Sequence, residues 1–141
     1  MGGLGAIMTP ALYPGETFFF DPVLDPVWEA CVEVDLPMSQ HGGTGAPAYG
    51  PPGFAAIMTL TLEHSFYSGR SLRQMIPGGV FDRFGDLRVA FVKTEVDWIA
   101  ATLRKLDRRL SWDDDWSGWA KILQRDRAFT RLAADEWASN C

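Results

Sequence analysis

Hydrophobic and polar positions along this chain follow two rhythms, and the change from one to the other divides it into strands and helices. Short apolar runs at Gly5 to Thr9, Leu36 to Gln40 and Leu87 to Val92 have the length and bounded character of buried parallel strands, the last being β-branched and aromatic. Between and after them the spacing becomes helical. Asp25 is placed to cap a helix with Pro26 at its first position, with Val27, Cys31 and Val34, or Trp28 and Val32, on the inner side. Phe54, Ile57, Met58 and Leu62 predict a second helix over about Phe54 to Phe66. Ser71 can cap a short helix through Ile76, which Gly78-Gly79 ends. Ile99, Leu103, Leu106 and Leu110 then line one face of a longer helix, while Arg104, Lys105, Arg108 and Arg109 face elsewhere.

Strands alternating with helices imply a parallel sheet covered by helices. Sequential units joined by right-handed crossovers place the three strands side by side in chain order and bring His41 and Lys93 to one edge of the sheet. The stretch GGTGAPAYGPPG after His41 is a loop by its glycine and proline content.

Composition changes this picture little. All nine prolines lie at or before Pro77 and most of the charge beyond it, yet one architecture with long strand-to-helix loops accounts for both halves. The length of 141 residues suits one domain, and 47% hydrophobic residues is that of a globular core. A net charge of -5 gives no encouragement to a nucleic-acid or anionic-membrane partner. No apolar run approaches a membrane span, and the opening MGGLGAIMTP lacks the basic start of a signal peptide. Cys31 and Cys141 match neither a disulfide framework nor a metal pair. The expectation is a reduced, cytoplasmic protein.

Three segments carry a resemblance. GGVFDRFGDLRVAFVKTEVDWIAATLRKLDRR resembles the passage of the amidohydrolase-related family that spans the sixth strand of its TIM barrel and the helix after it. FFFDPVLDPVWEACVEVDLPMSQHGG is similar to the passage that runs through the family's fourth helix into the fifth strand and ends on a metal-binding histidine, and RLAADEWASNC resembles the entrance to the seventh strand. The likeness covers almost the whole chain in the right order. It implies an α/β fold, a partial (β/α)8 TIM barrel of about three parallel strands with outer helices, with residues 1–141 forming a single incomplete segment. A whole barrel takes about 250 residues. The family's first-strand H-x-H pair and its eighth-strand S-D-x-P-H aspartate have no counterpart here.

By the same resemblance His41 stands where the family's fifth-strand metal ligand stands, and a divalent metal, zinc above all, is the cofactor of the full-length family. Glu63, His64 and Arg70 in TLEHSFYSGRSL occupy the region after the fifth strand and are expected to border the pocket for a small-molecule substrate, the arginine's planar fork suiting a carboxylate. Solvated residues on a helix and its exit loop are the alternative reading of these three. Lys93 occupies the position that holds Glu or His in the family, and an ammonium cannot ligate a cation. Glu95, two residues later on the same strand face, substitutes for that ligand only if the backbone shifts, and otherwise reads as a loop or helix-start carboxylate. Asp113-Asp114-Asp115 reads as a solvated turn, and most of the six tryptophans as core.

The expected function is that of a segment of a metal-dependent hydrolase of amides, esters or lactones, or of a decarboxylase, inactive as an isolated chain. The alternative is a non-catalytic remnant or an interaction module from a truncated or split gene. A three-stranded piece of a barrel exposes two sheet edges and one face, so self-association is expected as well. Ile7, Met38 or Gln40, and Val89, Phe91 or Lys93 are the positions expected on the unpartnered inner face.

Overall fold

A computed structural model describes residues 5–10, 17–42, 48–110 and 132–141. Three short parallel strands form the sheet: β1 (Ile7–Thr9), β2 (Met38–His41) and β3 (Val89–Val92), in the order β1-β2-β3. The register aligns Ile7 with Met38 and Met38 with Val89, so Gln40 meets Phe91 and His41 meets Val92. Helices follow or precede each strand: α1 (Asp25–Glu33), α2 (Phe54–Ser68), α3 (Leu72–Met75), α4 (Val80–Arg83), α5 (Asp97–Leu110) and α6 (Ala133–Asn140). The expected strand order and direction are those observed.

One layer of helices covers one face of the sheet. Trp28 and Cys31 from α1, Leu72 and Met75 from α3, Val80 and Phe81 from α4, and Trp98 at the start of α5 pack against Met38, Leu87 and Val89. Ile7, Phe91, Ile99, Leu103, Leu106 and Trp137 complete this core from partly buried positions. Burying such side chains contributes about 1.5–3 kcal/mol each, which is what holds these elements to the sheet. All three tryptophans among the described residues belong to this core or its margin; Trp112, Trp116, Trp119 and the Asp113–Asp115 run lie outside the described residues.

The side-chain alternation of the strands corrects one expectation. Ile7, Met38, Gln40, Val89 and Phe91 face the helices, and the opposite face carries Met8, Ser39, His41, Ala90 and Val92. Met8 is 67% exposed and Val92 39%. The long apolar side chains of a strand go where helices can bury them, so the inner face of this segment is the smaller, more polar set.

Helix starts differ from the reading as well. Asp25 lies inside the first turn of α1, and the capping carboxylate is Asp21, whose Oδ1 accepts from the Val23 amide at 3.0 Å to start a 3-10 turn over Pro22–Leu24. Asp25 instead pairs with Arg83 at 2.9 Å and ties α1 to α4. Ser71 makes no capping bond, because its hydroxyl donates to Gln40. The expected stop at the paired glycines is present: Gly79 adopts φ 63°, the left-handed conformation that ends one helical stretch before α4 begins.

The α2 helix runs slightly longer than expected and packs less. Phe54, Ile57, Met58 and Leu62, whose spacing predicts it, are all exposed, as is Phe66. Contact with the core comes at its C-terminal end, where Ser68 is buried, so most of α2 stands clear of the sheet among the described residues.

Candidate functional site

The C-terminal ends of β2 and β3 meet at one sheet edge. His41 is the last residue of β2 and lies opposite Val92, so Lys93 follows at the same end. The Gly42 amide donates to the Val92 carbonyl at 2.8 Å, carrying the ladder one step past the strand. Alternation turns His41 away from the helices, because Met38 and Gln40 face them. Its ring Nδ1 lies 2.7 Å from the Gly42 carbonyl oxygen, which can only accept, so this nitrogen is the donor.

His64 joins this edge from α2. A Cβ built on Gly42 lies 2.6 Å from His64 Cε1 and Nε2, and 2.2 Å from the Lys93 carbonyl oxygen. Only glycine permits the His64 ring and the Lys93 backbone to approach the chain so closely. His41, Gly42, His64 and the Lys93 backbone therefore form one cluster, assembled from β2, α2 and the turn after β3.

That turn is held in an uncommon conformation. Lys93 and Glu95 both have φ 56°, at a cost of roughly 1–2 kcal/mol each for residues with a side chain. The Trp98 indole N–H offsets the cost by donating to the Thr94 carbonyl at 2.8 Å and the Glu95 carbonyl at 3.2 Å. Lys93 and Glu95 are exposed, and Glu95 lies outside the strand, in the turn before α5, as expected of a loop carboxylate.

Behind His41, on the helix-covered face, β2 is pinned by a buried amide. Gln40 Nε2 donates to the Ser68 carbonyl at 2.5 Å, and Ser71 Oγ donates to Gln40 Oε1. One fully buried side chain thus joins the strand that carries His41 to the end of the helix that carries His64.

The other expected pocket residues are more dispersed. Glu63 is exposed on α2, on the side of Tyr49, whose phenol is pushed above its ordinary pKa by burial, then by the Glu63 charge, then by Tyr67. Tyr49 packs edge-on against Tyr67 with centroids 6.5 Å apart. Arg70 is half-buried in the turn between α2 and α3, its amide bonded to the Tyr67 carbonyl. Neighbouring Arg73 bonds the Phe66 carbonyl and Thr102 and lies over the Phe66 and Trp98 rings at 5.1 and 5.5 Å, so it serves packing. Partial burial lowers its pKa from the ordinary arginine value.

Among the described residues no group of three or more His, Cys, Asp or Glu side chains converges. A catalytic zinc takes about three protein ligands and an open position. The donor set among the described residues alone does not fit a bound metal.

Gln40, Gly42 and Tyr49 have no conspicuous signal in the sequence. A glutamine within an apolar strand, followed by histidine and glycine, is the nearest to one, since a buried amide must find partners.

The fold matches part of a known one. The crystal structure of an amidohydrolase from Mycobacterium avium subsp. paratuberculosis K-10 superposes with a TM-score of 0.72 at 17% identity, covering 98% of this chain and 35% of that one. The chain thus has the mixed α/β architecture of part of a TIM barrel and spans about a third of the length of the structure it matches. No protein-family model matches it, and no curated protein does.

Proposed function

We propose that the chain is the middle portion of a metal-dependent hydrolase or decarboxylase barrel, with His41 as one metal ligand whose partners lie on strands outside this sequence. The observation that carries this is the position of His41: at the C-terminal end of a central parallel strand, turned away from the helices, in a fold similar to a third of an amidohydrolase barrel. Chemistry in such barrels is built at that end of the strands. His64, held against Gly42, is assigned to shape a substrate pocket there, and Arg70 and Glu63 on the flanking turn and helix to its border.

The described residues do not supply a full ligand set, and the isolated chain is expected to be inactive by itself. Its activity requires the segments that carry the H-x-H pair and the S-D-x-P-H aspartate. The test is co-expression with a segment supplying those strands, followed by metal analysis and assays with amide, ester and β-keto-acid substrates. Zinc or manganese content near one per complex, with turnover lost in His41→Ala, is the expected result. Metal-dependent turnover by the isolated chain, abolished by the same substitution, would overturn the incomplete-site reading. A reconstituted complex whose metal content is unchanged by His41→Ala would remove His41 from the site.

A further inference from the structure

Helix α2 presents the largest run of uncovered apolar side chains among the described residues. Phe54, Met58, Leu62 and Phe66 recur every fourth residue and form one oblique ridge along it, with Ile57 beside Phe54, and all five are exposed. Phe54 is 80% exposed and Leu62 75%. The polar groups of the helix do little to hydrate that ridge. Thr59 and Thr61 donate their hydroxyl protons one turn back, to the Ala55 and Ile57 carbonyls at 2.9 Å, so these groups are already satisfied within the helix. The sequence of α2 holds one carboxylate, Glu63, which sits off the ridge, and neither lysine nor arginine.

We infer that this ridge is a two-fold contact at which α2 packs against α2 of a second copy of the chain. Area supports it. Five side chains at such exposures leave on the order of 600 Å² per copy, against about 800 Å² per partner in a stable interface, so the ridge supplies most of what a dimer needs. Charge points the same way. A two-fold axis sets a surface against itself, and a ridge without charge meets its own copy without repulsion. A helix made to lie on a membrane surface instead carries lysines or arginines on its polar face, which α2 lacks. The helix is also held ready for the contact. Gln40 Nε2 donates to the Ser68 carbonyl and Ser68 is buried, so the C-terminal end of α2 is fixed to the sheet while the turns that carry Phe54, Met58 and Leu62 stand clear. Ridges of this spacing interdigitate at a crossing angle of about −50°. The surface is separate from the uncovered sheet face of Met8 and Val92, and the inference is independent of the hydrolase reading.

The test is sedimentation equilibrium of the full chain carrying Met8→Lys and Val92→Lys, which removes the sheet face from competition. With rising concentration its mass is expected to level off at two copies. Adding Leu62→Lys should raise the dimer dissociation constant by on the order of tenfold or more, while adding Leu62→Met should keep it within about twofold. Helicity by circular dichroism is expected to be equal in all three, since Leu62 gains little from the described core. Should Leu62→Lys alter helicity, Leu62→Cys takes its place, and oxidation is expected to join position 62 to position 62 of the other copy. A dissociation constant unmoved by Leu62→Lys, absence of that cross-link, or growth past two copies overturns the proposal. So does a chain that stays monomeric throughout, which would mean that it covers its own ridge. Transfer of the chain onto neutral phosphatidylcholine vesicles would assign the ridge to a lipid surface and overturn it equally.

Discussion

Gly42 concentrates the constraints on the candidate site in one residue. An added methyl meets a backbone oxygen at 2.2 Å as well as the His64 ring, and backbone cannot step aside as a flexible side chain can. Gly42→Ala is therefore expected to destabilise by about 2 kcal/mol or more and to shift the His64 imidazole resonances, measured by urea unfolding and NMR. Gln40 is the second such residue. Gln40→Ala removes both partners of a buried network, stranding the Ser71 hydroxyl and the Ser68 carbonyl, and is expected to cost about 2–4 kcal/mol. Ser71→Ala should cost less, about 1–2 kcal/mol, since it leaves one amide oxygen unpaired. Equal effects of the two substitutions in urea titrations would contradict this network. Cys31 carries the pH prediction. Burial pushes its thiol above the ordinary value, so the folded state holds the proton more tightly than the unfolded chain. Its contribution to stability is complete below the ordinary thiol pKa and declines as pH rises beyond it; thiol reagents near neutral pH should react slowly with both cysteines in the folded chain, since burial and then Glu136 push Cys141 up to about 12, and should reach buried Cys31 only on unfolding.

At the scale of elements, α1 and α2 make opposite use of apolar residues. The α1 helix buries Trp28 and Cys31 against the sheet and is tied to α4 by the Asp25–Arg83 pair. Trp28→Ala is expected to cost about 3–5 kcal/mol through the cavity it leaves, whereas Asp25→Ala, breaking a partly exposed pair, should cost no more than about 1 kcal/mol. The α2 helix is apolar on nearly every side, and its exposed Phe54, Ile57 and Leu62 gain little from the described core. Phe54→Ala and Leu62→Ala are accordingly expected to change the free energy of unfolding by less than about 0.5 kcal/mol in the isolated, monomeric chain, measured by urea titration. Large losses there would mean that α2 packs against something beyond the described residues.

At the scale of the whole molecule, the three-stranded sheet leaves one face uncovered among the described residues. Met8, Ala90 and Val92 present a modest apolar surface opposite the helices, and the burial it forfeits amounts to on the order of a few kcal/mol, a sizeable share of a marginally stable fold. The purified chain is expected to associate through this face and to melt over a broad range. Met8→Lys combined with Val92→Lys should shift size-exclusion profiles toward monomer. A sharply melting monomer in the unsubstituted chain would show instead that the segment is an independent domain. Among the described residues no helix is long and apolar enough to cross a membrane.

The sequence by itself determined the strands, their order and direction, and the edge at which His41 and Lys93 meet, because β-branched runs, helical spacing and right-handed crossovers are local or nearly local rules. It also marked the stop at Gly79, since a left-handed residue leaves its trace in composition. Tertiary structure alone decided which face of the strands the helices bury, because a period of two says that faces differ and leaves open which is covered. It decided that Ser71 serves Gln40 in place of a helix end, and that Asp21 caps the 3-10 turn before α1 while α1 itself begins without a side-chain cap, since competing partners arrive only with folding. It brought His64 against Gly42 across a loop and more than two turns of helix, a distance no spacing rule spans. The positive φ of Lys93 and Glu95 was illegible for the same reason: neither is glycine, and the Trp98 indole that stabilises their turn is positioned by the core it helps to fill.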